Sequence, residues 1–302
     1  MSTSEVPSRA RVAERGALEE VVFIMGAARS GSTLLGTLIG QAPHVLFAGE
    51  LTDWPGRGGR ASIPRSAPFW DGIRARVPLP PTASRLKAAF DHPLGLAAPW
   101  RRGGLRADYV RVTLGVLEAA AEESGRPVVV DSSHYPRRAR ALRGMLGADR
   151  VRLVYMARRP SAVARSFRST EDKNELGIQL YLFMVGALAW LVYLTHPRRS
   201  RALISYEAMV EDPIATASFA LGSPMDDIDP DHLTPPPLFI GNRFAQESGE
   251  IAVQRPPAFR PRPLDRATDI IQLPLALAWL AGRTNHRTRP QSPKPSRSHQ
   301  LG

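Results

Sequence analysis

The chain contains no cysteine and only three lysines, Lys87, Lys173 and Lys294. Without thiols it can form no disulfide framework, hold no thiolate-bound metal and use no cysteine nucleophile, a usage compatible with a reducing cytoplasm. Because lysine is scarce, nearly all of the formal net charge of +12 rests on arginine. That charge is scattered and not interleaved with aromatics, so no nucleic-acid partner is expected; a polyanionic small molecule explains it equally well. Residues 1–18 lack an apolar signal core and carry acids, which predicts a flexible N-terminus and no secretory leader. Internal repeats are missing as well. What is present is apolar content, 43% of 302 residues, enough for a sizeable core in one large domain, read here over 19–282. Residues 283–302 are polar, basic and proline-bearing, the composition of a disordered tail.

The most informative stretch is VVFIMGAARSGSTLL, residues 21–35: a buried strand, a glycine-rich turn and the start of a helix. The turn from Gly26 to Thr33 has the glycine spacing of the phosphate loop G-x-x-x-x-G-K-[ST], but Ser32 stands at the lysine position. The lysine normally reaches the terminal phosphates of ATP or GTP. Here the fixed cation of the loop is Arg29. Backbone N–H groups at a helix N-terminus still suit an anion, and the macrodipole favours negative charge. The bland alternative is a plain strand–turn–helix whose glycines only permit a tight turn. The apolar run before the loop, with Leu34, Leu35, Leu38 and Ile39 after it, supplies the context of a working phosphate loop.

Further strands are expected within 44–56, at Val128–Asp131, at Val151–Met156 and at Ala202–Ser205, with helices over 106–124, over 136–147 and from Ser161. Strands alternating with helices predict an α/β fold, a central parallel sheet flanked by helices on both faces. Residues 55–104, rich in Pro, Gly and Arg, read as a long irregular insertion that serves as a lid or faces the substrate. The turn Tyr206–Pro213 reads as acidic loop. One segment competes with this picture: 178–194 is uncharged and followed by His196-Pro197-Arg198-Arg199, at the short limit for a membrane span. Burial on nearly every side of a helix is the favoured reading, with peripheral membrane contact as the alternative.

A second phosphate-binding pattern follows the strand at 151–156. Arg158 ends that strand, Pro160 permits a sharp turn, and Ser166 lies two turns into the next helix. A bidentate guanidinium and a hydroxyl so placed converge on one phosphate. In open α/β sheets ligands bind at the carboxyl ends of strands, where Arg29 and Arg158 both fall.

On these two motifs the chain resembles the sulfotransferases that use 3′-phosphoadenosine 5′-phosphosulfate (PAPS), in the arginine-bearing version of carbohydrate, tyrosylprotein and many bacterial enzymes. Ala28–Thr33 resembles their 5′-phosphosulfate loop, and Arg158 through Ser166 their 3′-phosphate site. Supporting similarity is seen at Val130–His134, Ser205–Glu207 and Gly241–Phe244. The resemblance covers about residues 20–282, poorly at 55–104. It implies a P-loop-like sulfotransferase fold and sulfuryl transfer from PAPS to a hydroxyl of a carbohydrate, lipid or small-molecule acceptor, with no metal required. It assigns Arg29, Ser30, Gly31, Ser32 and Thr33 to the phosphosulfate, Arg158 and Ser166 to the 3′-phosphate, and Arg243 to a late cofactor-contacting loop. Arg29 would also stabilise charge in the reaction.

Two residues compete for the role of base. Glu50 resembles the glutamate after the first helix of the tyrosylprotein-type enzymes, and partial burial would fit it to the task. His134 stands in a region where relatives carry lysine or a histidine base. Glu50 is preferred. The rival readings are a P-loop kinase or nucleotide hydrolase, with Asp131 as its best magnesium aspartate, and a non-catalytic membrane-associated protein. The acidic run at 226–231 and the scattered histidines show no metal-ligand spacing.

Overall fold

The computed structural model describes residues 17–92, 103–170, 174–225, 228–240, 251–253 and 261–284. Five parallel strands form one sheet in the order β2-β3-β1-β4-β5: β1 (Glu20–Gly26), β2 (Val45–Gly49), β3 (Val128–His134), β4 (Val151–Ala157) and β5 (Arg201–Ser205). All are almost wholly buried, which is why they read as continuous apolar runs and not as alternating ones. The period of two still operates inside the fold. Val21, Phe23 and Met25 enter one core layer; Val22 and Ile24 enter the other.

The second of these layers is covered by α1 (Ser32–Ile39), together with α8 (Tyr206–Glu211) and α9 (Pro213–Leu221). The first layer is covered by α2 (Ala67–Arg76), α4 (Gly103–Ser124), α5 (Pro136–Leu146), α7 (Glu175–Thr195) and α11 (Leu273–Gly282). Between them, α6 (Pro160–Thr170) and α10 (Pro263–Ile271) close the end of the sheet where the loops gather; a small cluster of Ala27, Val163, Phe167, Ile178, Leu182 and Leu275 joins α6, α7 and α11 beneath the first loop. The expected α/β architecture with helices on both faces is the one found.

Three local expectations need correction. Within its described residues the insertion at 55–104 is not irregular: it folds as α2, the short α3 (Ala83–Leu86) and a π-helical turn at Lys87–Asp91, and residues 93–102 lie outside the described residues. Its anchor is aromatic, with Trp70 wedged against Trp54 and Phe239 and its Nε1 donating to the Pro237 carbonyl at 2.7 Å. The segment Tyr206–Glu211 is a helix, capped by the Ser205 hydroxyl, which accepts from the Ala208 N–H. Helix α7 is not buried on nearly every side. Only 28% of its most apolar window is buried, along Ile178, Leu182, Val185, Gly186 and Ala189. The expected features at 1–16, in the tail beyond 284, and in the loop carrying Arg243 lie outside the described residues, whereas Leu18, expected in a flexible N-terminus, is buried in the core.

Candidate active site

The order of the strands reverses at β1, which lies between β3 and β4, so the loops leaving β1 and β4 diverge from a crevice at their carboxyl ends. Gly26 opens the first loop with φ 150°, and a Cβ there would lie 2.2 Å from the Met156 carbonyl oxygen; only glycine lets β1 leave the sheet so close to β4. Arg29 adopts φ 68°, a left-handed conformation that costs a non-glycine residue on the order of 1–3 kcal/mol and collects at ligand-holding loops. Gly31 caps α1 with no side-chain acceptor, so the first amides of that helix, from Ser32 on, have no capping oxygen. In the middle of this loop Ser30 is buried, and its hydroxyl has no hydrogen-bond partner. Leaving such a group unpaired costs about 1–3 kcal/mol, a cost that an anion in the cradle would remove.

The second loop meets the first. From the end of β4, Arg158 donates through Nη1 to the Arg29 carbonyl oxygen at 3.3 Å, while its guanidinium lies 4.2 Å from the centre of the Tyr206 ring. The two arginine-bearing motifs, 129 residues apart in sequence, are thus in contact in the fold. Ser166 follows in α6. The N-terminus of that helix already carries an acid: Asp269 of α10 accepts from the Ser161 N–H at 2.9 Å and from Arg159 Nε at 2.8 Å. An anion beside α6 would therefore depend on side chains and not on the amide of Ser161. Tyr181 of α7 supports the loop from below, its hydroxyl accepting from the Ala28 N–H at 3.3 Å. Tyr181 and Asp269 were not legible as site residues, because each reaches the loops from a helix remote in sequence; Tyr206 fell within the Ser205–Glu207 resemblance but carried no role there.

The two candidate bases also converge. β2 and β3 are neighbours with Gly49 opposite Asp131, so the residues that follow, Glu50 and His134, emerge side by side. Their side chains stand 4.0 Å apart, Glu50 Oε2 to His134 Nδ1. Burial raises the Glu50 carboxyl from 4.5 to about 7; Asp53 and Asp131 push the same way, against Lys87 and Arg29. Burial lowers His134 to about 4, helped by Lys87 and opposed by Asp53 and Asp131. At neutral pH the pair is a neutral imidazole beside a carboxyl poised to give or take a proton. His134 is also held at φ 53°.

Lys87 is a further residue that reading the sequence missed. It arrives from the insertion, pairs with Asp53, and lies 5.6 Å from the Tyr135 ring centre. Nothing in its local sequence signals this, since the π-helical turn that aims it has no sequence mark.

Beneath the pair runs a buried ionic network. Asp131 Oδ1 accepts from the Ser133 N–H at 2.9 Å, from the Ser133 hydroxyl and from the Leu51 N–H at 3.4 Å; Oδ2 accepts from Arg138 Nε at 2.8 Å. Arg138 turns its Nη1 to Asp91 at 3.4 Å, and Asp91 in turn accepts from Thr52 and Tyr109, each at 2.5 Å. The Ser133 hydroxyl accepts from the Thr52 N–H at 2.9 Å, closing a frame around the Glu50 turn. Asp131 has its oxygens occupied and is poorly placed to serve as the magnesium aspartate of a kinase. Among the described residues no group of three or more His, Asp or Glu side chains is gathered for a metal.

No curated protein sequence matches the chain. Among solved structures, a sulfotransferase domain from the curacin biosynthetic pathway aligns at 16% identity over 86% of this chain and 98% of its own, with a TM-score of 0.51. A sulfotransferase domain of the Synechococcus PCC 7002 olefin synthase aligns at 18% identity over 86% and 96%, with a TM-score of 0.43. The sulfotransferase STF9 of Mycobacterium avium aligns at 13% identity over 72% and 67%, with a TM-score of 0.44. At such identities the first of these likenesses speaks for the fold alone. The family model described as "Sulfotransferase family" matches residues 21–219, a span that holds both phosphate motifs, the Glu50–His134 pair and the insertion. The chain belongs to the sulfotransferase family.

Proposed function

We propose that this sulfotransferase uses PAPS as donor and delivers the sulfuryl group to a hydroxyl of a carbohydrate, lipid or small-molecule acceptor. The observation that carries the reading is the reach of Arg158 to the Arg29 carbonyl, which fuses the two arginine loops into one polyanion site beside the unpartnered Ser30 hydroxyl. A donor with a phosphosulfate at one end and a phosphate at the other matches two cationic cradles. The amides and hydroxyls of Ser32 and Thr33, with Gly31 and Ser30, would hold the phosphosulfate; Arg158 and Ser166 would hold the 3′-phosphate. When bound, PAPS supplies a sulfuryl group already activated by its bond to phosphate.

The chain's own contribution is charge, position and a proton acceptor. Arg29 offsets the negative charge that gathers where the group is transferred. Glu50, in its ionised form, accepts the proton of the acceptor hydroxyl at an Oε. A carboxyl titrating at about 7 is well matched to that task near neutral pH, whereas an imidazole titrating at about 4 is a weak base. His134, a neutral imidazole 4.0 Å from Glu50, is accordingly assigned to contact with the acceptor and not to the role of base. Lys87, from the insertion, tunes Glu50 toward ionisation.

Calorimetric titration with 3′-phosphoadenosine 5′-phosphate and, separately, with magnesium-ATP tests the donor assignment on wild type and Arg158→Ala. Wild type should bind the bisphosphate, and loss of one charged hydrogen-bonding group should weaken it about 10- to 100-fold. Binding of magnesium-ATP alone, or bisphosphate binding indifferent to Arg158, overturns it.

A further inference from the structure

Helix α7 presents a second face that the fold does not use. Its buried residues line one side, while Leu176, Leu180, Phe183, Ala187, Leu191 and Leu194 form an exposed stripe at spacings of three and four. Leu176 is 78% exposed, and no charged side chain occurs from 176 to 195. The neighbouring hairpin of helices repeats the pattern, with Ile270, Leu273, Leu277 and Leu280 exposed along α10 and α11. The stripes are side by side: Leu275 of α11 packs on Gly186, Trp190 Nε1 bonds the Pro274 carbonyl, and Gln272 Nε2 bonds the Gln179 carbonyl at 3.0 Å. So much aliphatic surface on two packed helices is a docking face.

We propose that this face seats the protein on the surface of an anionic lipid bilayer. Charge decides the occupant. Arg143 and Arg201 crowd the carboxyl end of α7, bonding the Thr195 carbonyl at 2.6 Å and the Leu194 carbonyl at 2.9 Å, and exposed Arg198 follows. At the end of α11, Arg283 is exposed, and the sequence beyond it adds Arg287, Arg289, Lys294 and Arg297 with no acid through residue 302. A second copy of the chain offers the stripe no open acidic patch, since Glu175, the acid at the head of α7, is already held by Arg168. An anionic headgroup layer meets the exposed Arg198 and Arg283, and its acyl boundary takes the leucines. The helix is about 31 Å long, enough to span hydrocarbon. Its opposite side, however, is packed on α6 and α11 through Ile178, Leu182 and Gly186, so it lies in the interface and does not cross it. Tyr181, on the same helix, holds the phosphate loop, so the docked helix is in direct contact with the site.

Sedimentation of the full chain with vesicles of phosphatidylcholine, with or without phosphatidylglycerol, tests this. Binding should require the anionic lipid and weaken with salt. It should fall more than about tenfold in Arg198→Gln/Arg283→Gln, given about 1 kcal/mol per cation at such a surface. Leu180→Ser/Leu191→Ser should lower it about as much while leaving the thermal midpoint of these exposed positions unchanged. No binding to either vesicle overturns the proposal. So does a dimer, seen by analytical ultracentrifugation, that the leucine pair abolishes, since the face would then belong to a second copy. Neither readout involves turnover, so the result is independent of the donor and acceptor assignment.

Discussion

Glu50→Gln should make this protein more stable and nearly inactive, and the size of the first effect follows from the site. Glu50 is held at about 7 in the fold against an ordinary 4.5, chiefly by burial. Between those values the folded state keeps a proton that the unfolded chain has released, so stability falls as pH rises through the window. The total is up to about 3 kcal/mol at 1.36 kcal/mol per pH unit, fully lost above the folded value. Glutamine keeps the shape and never ionises. At pH 8 the variant should therefore gain up to about 3 kcal/mol, on the order of 6 °C in Tm for a chain of this size. At pH 5, only half a unit above the unfolded value, the gain should shrink to about 0.7 kcal/mol. Turnover should fall about 10²- to 10⁴-fold, the usual contribution of a general base. The assay is scanning calorimetry of both proteins at the two pH values, with kcat/KM for the wild type across pH. That profile should drop about tenfold per unit below about 7. A variant equally destabilised at both pH values, or a profile flat from pH 5 to 8, refutes the assignment of a buried, high-pKa base.

His134→Asn should behave oppositely. Its ring is pushed down to about 4 by burial, so wild type loses stability as pH falls below about 6.5, where the unfolded chain takes up the proton. Asparagine tolerates the left-handed backbone at φ 53°. The variant's Tm should accordingly gain on wild type at pH 5 and not at pH 8; an equal offset at both counts against the buried neutral imidazole. Arg138→Met should cost about 3–5 kcal/mol by urea unfolding, because it strands Asp131 and Asp91 without their cation. A cost below about 1 kcal/mol would mean that the network is wetter than its burial implies.

The sheet and both phosphate loops were legible because each is a local pattern: an apolar run, a glycine or proline, then helical periodicity. Glu50 and His134 were legible as separate residues, but their meeting depends on β2 pairing with β3, which no local pattern encodes. The insertion was misread because its core residues, Trp70, Ile73, Leu86 and Phe90, are spread thinly among Pro, Gly and Arg. Its helices are held by tertiary packing on Trp54 and Phe239 more than by periodicity. Helix α7 was misjudged for the converse reason. A sequence apolar on every side does not say which side meets the core.

The Asp91–Arg138 contact has a consequence for how acceptor preference can change. The insertion brings Lys87 near Glu50, and it is a segment that protein engineers would wish to exchange between relatives. Here, however, that segment supplies one of the two counter-charges of a buried arginine rooted in α5. A transplanted insertion must bring its own carboxylate to that spot, or the recipient must give up Arg138. Specificity and solvency of the core are inherited together, and a graft that ignores the join will fail first in folding and only then in recognition.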